Sequence, residues 1–139
     1  MASTAAPGVE AAIVELLEAS KAEALQTTTI SADTEPNRSP AYLWIWKTET
    51  KRNWGPLGVD PPKLEEDLTL HCRVLVIGKT AKETADAIFE AAETALRADL
   101  KLKQTVQWHR IMNPVREQVL FDEKRGFQIA FTISAQARI

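Results

Sequence analysis

Leu68-Thr69-Leu70-His71-Cys72-Arg73-Val74-Leu75-Val76-Ile77-Gly78, continued by Lys79-Thr80-Ala81-Lys82-Glu83, decides how this chain folds. Leu68, Leu70, Cys72, Val74 and Val76 alternate with Thr69, His71, Arg73, Leu75 and Ile77. That alternation places the first set on one face of a strand, and the other face turns apolar only at its end. Gly78 breaks the strand. Thr80 is a favourable N-cap, and Glu83 three residues on completes the pattern of a capping box. Ala85, Ile88, Phe89, Ala92, Ala95 and Leu96 then recur at spacings of three and four, one apolar stripe along a helix. Strand, turn and amphipathic helix form a packing unit in which the stripe covers the sheet.

The chain has 139 residues, which predicts one domain over 1–139 with a core that needs no metal or disulfide. Its 45% hydrophobic and 26% charged content belongs to a soluble globular protein. A net charge of -2 argues against a protein that coats nucleic acid, which would be basic. Cys72 is the single cysteine, so no internal disulfide and no multi-cysteine metal site is expected. Its place on the apolar face makes it a small buried hydrophobe. No apolar run has the length of a membrane span, and Met1–Pro7 lacks the basic start and apolar centre of a signal peptide. A soluble protein made in a reducing cytoplasm, without a membrane partner, is the expectation.

Toward the N-terminus, Val9, Ala12, Ile13, Leu16 and Leu17 form a stripe opposite Glu10, Glu15, Glu18 and Lys21. This predicts a helix over roughly 7–24, capped by Ser3 or Thr4 and with Pro7 in its first turn. Gln26–Pro40 is a polar, proline-punctuated connection with an extended segment around Thr28–Ile30. Ala41–Lys47 reads as a strand, with Tyr42, Trp44 and Trp46 on one face and Leu43 and Ile45 on the other. Two apolar faces imply cover on both, by the core on one side and by a neighbouring chain on the other. Thr48–Lys63 reads as a long loop without regular structure. Lys51, Arg52, Trp54 and Leu57 lie on it, and Trp54 is either a partner anchor or folded back on its own domain.

Beyond the helix, Thr105–Met112 reads as a strand, Asn113-Pro114 as a break, and Val115–Phe121 as a further extended run. Asp122–Gly126 forms a hairpin turn. Phe127, Ile129, Phe131, Ile133 and Ala135 alternate with Gln128, Ala130, Thr132, Ser134 and Gln136, the cleanest strand in the sequence. The fold class is α+β: a mixed, mainly antiparallel sheet of about five strands with two helices on one face and a long loop between the first two strands.

Chemistry is sparse. Two histidines, His71 and His109, cannot supply a zinc site, and no metal or cofactor is expected. His71 with Glu66 or Asp67 can be drawn as a catalytic pair, but no third partner fixes it. Gly78-Lys79-Thr80 matches the tail of a phosphate loop, yet Arg73 stands where that motif needs glycine. Glu65-Glu66-Asp67 is an acidic run at the mouth of the central strand. Lys51-Arg52 and Lys124-Arg125 are basic pairs suited to an acidic patch on a neighbouring copy. An enzyme is not expected; surfaces are.

Leu70-His71-Cys72-Arg73-Val74-Leu75-Val76, the helical run Glu83–Leu96 and the closing strand Gly126–Ile133 together resemble the tail terminator (tail completion) proteins of long-tailed bacteriophages. The resemblance is one of layout and covers roughly Tyr42 to the C-terminus. It implies a homo-oligomer, a hexameric ring, that caps the tail tube, stops its elongation and offers a joining surface to the head connector. DNA passes through the lumen without specific binding, and the protein sits in the tail-neck region of the virion after assembly in the host cytoplasm. On that reading Tyr42, Trp44, Trp46, Lys51, Arg52, Trp54, Leu57, Lys124 and Arg125 contact a subunit or the tube, and Glu65, Glu66 and Asp67 face the lumen. Another head–tail neck adaptor is the nearest alternative, and a small host ligand-binding or enzymatic domain is a third.

Overall fold

The computed structural model describes residues 5–32, 41–54, 64–121 and 123–138. In order the elements are α1 (Ala6–Glu18), α2 (Glu23–Gln26), β1 (Thr29–Ala32), β2 (Ala41–Trp54), β3 (Leu64–Ile77), α3 (Ala81–Arg97), β4 (Trp108–Phe121) and β5 (Lys124–Arg138). The strands form a five-stranded sheet in the order β1-β2-β3-β5-β4, with β1 parallel to β2 and every other pair antiparallel. This is the α+β architecture expected from the sequence.

β3 is central, so its alternating residues meet neighbours on both sides. Cys72 pairs with Ile45 on β2 and Phe131 on β5, and Val74 with Leu43 and Ile129. Leu68, Leu70, Cys72, Val74 and Val76 are buried, as are Phe127, Ile129, Phe131, Ile133 and Ala135. Against this face lie Ala85, Ile88, Phe89, Ala92 and Leu96 of α3 and Val9, Ala12, Ile13 and Leu17 of α1. Phe89 meets Phe131 edge-on with ring centroids 5.0 Å apart.

Several local expectations are corrected. Thr80 is the N-cap of α3, but its hydroxyl makes no capping bond, so the capping box does not form. The helix is entered instead through backbone bonds, Ala81 N–H to Gly78 C=O and Thr84 N–H to Thr80 C=O. α1 stops at Glu18, and one further turn, α2, follows. Ser3 and Thr4 lie outside the described residues, and the N-cap is Ala5.

The first part of the predicted loop 48–63 is strand. β2 runs on to Trp54, and β3 begins at Leu64, opposite it. Residues 55–63, Leu57 among them, lie outside the described residues. A register shift between Ile45 and Lys47 turns Thr48, Thr50 and Arg52 toward the helices. There Thr48 and Arg52 meet polar partners and Thr50 is exposed, so the apolar period that marks a strand is absent. Thr48 donates its hydroxyl to the carboxylate of the buried Glu10 at 2.6 Å.

Asn113-Pro114 does not end a strand. β4 continues through it with a register shift between Met112 and Val115, and Asn113 adopts φ 53°. β4 starts at Trp108 rather than Thr105 because Leu102, Lys103 and Gln104 all take positive φ, at 45°, 58° and 65°. The carboxylate of Asp99 accepts the N–H groups of Lys101 and Lys103 and holds this turn. Leu102 is thereby fully buried.

Gly126 closes the β4–β5 hairpin against β3. A Cβ there would lie 2.9 Å from the Val76 carbonyl oxygen and 3.2 Å from a Val119 methyl. Gly126→Ala is expected to cost about 1–3 kcal/mol, read from the midpoint of urea unfolding. An unchanged midpoint would mean that the hairpin can shift away freely.

Candidate functional site

All the helical stripes are spent on the Cys72 face. The opposite face of the sheet is the one with surface left to use, and register fixes its rows. Trp44, Arg73, Ala130 and Val115 form one row across β2, β3, β5 and β4. Lys47, His71, Thr132 and Met112 form the next, and Lys51, Asp67, Gln136 and Trp108 lie farther along. The face is aromatic on β2, small and polar along β5, and apolar again on β4. Trp46 (40% exposed), Trp108 (38%), Met112 (37%) and Val115 (58%) are large hydrophobics open to solvent.

Two polar groups on this face are covered without being paired. The Arg73 guanidinium carbon lies 5.8 Å from the centre of the Trp44 ring, a cation–π contact. The Trp44 indole nitrogen and Arg73 Nε are buried and lack a hydrogen-bond partner. Buried donors are nearly always satisfied, so both are available to an acceptor brought by another surface.

Beside them, His71 Nε2 donates to Glu49 Oε1 at 2.6 Å. The Trp46 ring lies 5.3 Å from the imidazole, and Lys47 Nζ is 3.7 Å from the same carboxylate oxygen. The hydrogen bond from His71, helped by the Lys47 charge, holds the Glu49 carboxyl below its usual value of 4.5. A depressed carboxylate pKa contributes stability above the unfolded value, and that contribution is lost as pH falls through the folded value. Wild-type protein is therefore expected to weaken below about pH 4.5 slightly more steeply than Glu49→Gln, as read from urea midpoints across the acid limb. Parallel acid limbs would remove the pair from the argument.

The predicted site residues fall into three groups. Trp44 and Trp46 sit on the open face as expected. Tyr42 shares it but is only 5% exposed, so it supports Trp44, at a ring separation of 6.4 Å, and is no contact residue in this chain. Lys51 is exposed on β2, and Lys124 and Arg125 are exposed where β5 begins. Trp54 ends β2, and its side chain lies outside the described residues, as does Leu57.

The acidic run does not form one lip. In a strand, adjacent residues point to opposite faces. Glu65 and Asp67 belong to the open face, where Gln136 donates to Asp67 at 3.2 Å. Glu66 points inward, is fully buried, and accepts from Arg52 Nε at 2.8 Å and from the Ala5 N–H at 3.1 Å. Glu66 thus lines no lumen, and Arg52 is committed to a bond within the chain rather than offered to a partner. The drawn pair His71–Glu66 is likewise corrected: the partner of His71 is Glu49, on the same face.

His109 is buried at the end of α3, its Nε2 facing the carbonyls of Leu96 and Asp99 at 2.9 and 3.0 Å. That is a structural role, since helix-terminal carbonyls need donors. Cys72 is buried too, and burial raises its thiol pKa far above the usual range, so it stays protonated and inert. Among the described residues no group of three His, Cys, Asp or Glu could hold a metal ion, and no helix is long and apolar enough to cross a membrane.

No family model matches the sequence, and no curated protein matches it. Its fold has a solved counterpart in a virion. A chain from the virion of a native gene transfer agent (GTA) particle aligns with a TM-score of 0.71 at 16% identity, covering 98% of this chain and 100% of that one. At that identity the likeness is one of fold. It extends over nearly the whole of both chains.

Sequence reasoning missed the β4 side of the open face. Trp108, Met112 and Val115 straddle the bulge at Asn113-Pro114, which breaks their alternation. The cue was the mixture itself: large apolar side chains on a strand that also carries Arg110, Arg116 and Glu117.

Proposed function

We propose that this chain is a structural virion protein that works as a tail terminator: a ring of identical subunits that caps the tail tube, stops its growth and joins it to the head connector. The observation that carries the reading is the end-to-end fold match with a chain of a virion. The sequence layout points the same way. The open face supplies the contact surface, with Trp46, Trp108, Met112 and Val115 exposed around a shallow centre of Ala130 and Thr132. Residues of this kind are what subunit interfaces bury. Under this reading no bond is made or broken, and DNA crosses the ring without sequence-specific contact.

Electron microscopy of particles assembled without the protein tests the proposal. Tails of uncontrolled length, or finished tails detached from filled heads, are expected. Filled heads that leak DNA would instead identify a connector adaptor, and normal particles would sink the structural reading altogether.

A further inference from the structure

At the end of the sheet where β3 passes into α3 lies a groove of about 950 Å³. Lys79 and Lys82 come to it from the β3–α3 junction, and Lys124 and Arg125 from the β4–β5 hairpin. The two segments are tied together, because the Gly78 N–H donates to the Arg125 carbonyl at 2.9 Å. The cations are thus held on one frame. None of the four has an ion-pair partner among the described residues, whereas Lys47, Arg52, Arg97, Lys103 and Arg116 all do. Glu83 and Glu123 adjoin the segments but are not part of the lining.

Between the cations the lining is apolar. Ile77 and Val119 contribute to it on the open-face side, and Phe127 and Leu120, the latter 73% exposed, on the helix-facing side. A phosphate backbone would satisfy the lysines and leave that apolar surface wet. A peptide with carboxylates on either side of an apolar side chain would satisfy both.

We propose that this groove is a docking site for an acidic segment of a partner protein, one that inserts a leucine- or phenylalanine-sized side chain between Phe127 and Leu120, which share the helix-facing side by register, and sets its carboxylates on Lys79, Lys82, Lys124 and Arg125. That the partner belongs to the tail or connector rests on the function proposed above; the chemistry of the groove does not. Leu120, Arg125 and Phe127 lie on the helix-facing side at the end of the sheet, so a ring subunit can use this groove and the centre of the open face at once.

The test is fluorescence anisotropy on the full chain with a set of labelled twelve-residue peptides. Each carries two or three carboxylates around one Leu or Phe at spacings of two to four, and charge-reversed versions serve as controls. At least one acidic peptide is expected to bind, more weakly as salt rises. The double variant Lys124→Ala/Arg125→Ala should weaken it about tenfold. Leu120→Ser should weaken it about fivefold. These side chains are exposed, and circular dichroism serves as the check that the variants fold. Binding by none of the acidic peptides overturns the proposal. So does a short DNA duplex that binds as well as the peptides and is indifferent to Leu120→Ser, which would make this a phosphate site. The measurement needs no particles, so its failure is distinct from failure of the virion reading, which microscopy judges.

Discussion

Replacing Arg52 by alanine is expected to destabilise the chain by about 3–5 kcal/mol, and by more than replacing Glu66 by glutamine. The asymmetry follows from where the two ends of the pair sit. The Glu66 side chain is 0% exposed, while that of Arg52 is 27% exposed. Remove the guanidinium and the carboxylate loses its Arg52 partner while staying in the protein interior, where the Ala5 N–H is among its donors. Remove the carboxylate charge instead, and the carboxamide oxygen still accepts from Ala5 while Arg52 reaches water through its exposed part. The pair also joins β2 and β3 to the start of α1, so its loss loosens three elements together. In thermal unfolding, Arg52→Ala should fall by about 10–20 °C. Arg52→Lys should recover part of that, since it restores charge without the guanidinium geometry. A loss no larger than that of Glu66→Gln would mean that water reaches the carboxylate and that the pair is peripheral.

The same pair explains what the sequence made legible. The helix-facing halves of β3 and β5 and the α3 stripe are readable because apolar residues there meet apolar residues, and burial imposes a period. At the far end of the sheet the contacts are Thr48 with Glu10 and Arg52 with Glu66, and a hydropathy pattern is silent about such pairs. By hydropathy alone, seven residues of β2 therefore look like loop and one buried carboxylate like a surface acid. The period itself held the correction, because three consecutive acids in a strand cannot share a face. Extending β3 by four residues upstream of Leu68, to Leu64, would have turned Glu66 inward. Periodicity also reports a face without reporting its cover, which is why Tyr42, Trp44 and Trp46 were grouped correctly although Tyr42 is buried. The pairing of His71 with Glu49 spans 22 residues and depends on strand register, which no local motif encodes.

Ala130→Glu is expected to leave the isolated chain folded and to abolish its assembly. Ala130 lies at the middle of the open face, directly paired with Arg73 on one side and Val115 on the other. Arg73 Nε is buried and unpartnered, so a carboxylate at 130 gains a cross-strand partner worth about 0.2–1 kcal/mol. Stability of the monomer should then stay within about 1 kcal/mol of wild type. In the ring proposed above, this carboxylate would have to leave water beside Val115, under the face of a second copy. Desolvating it against an apolar partner surface costs several kcal/mol, a loss of at least about a hundredfold in association. Val115→Asp makes the same demand at a position 58% exposed, where the monomer has little to lose. Sedimentation of the purified variants, together with their incorporation into particles, gives the readout. Folded variants that enter particles as wild type does would show that the interface lies elsewhere than this face. Exclusion of both, with unfolding curves unchanged, would show that the face left open by the helices is the one that a second copy closes.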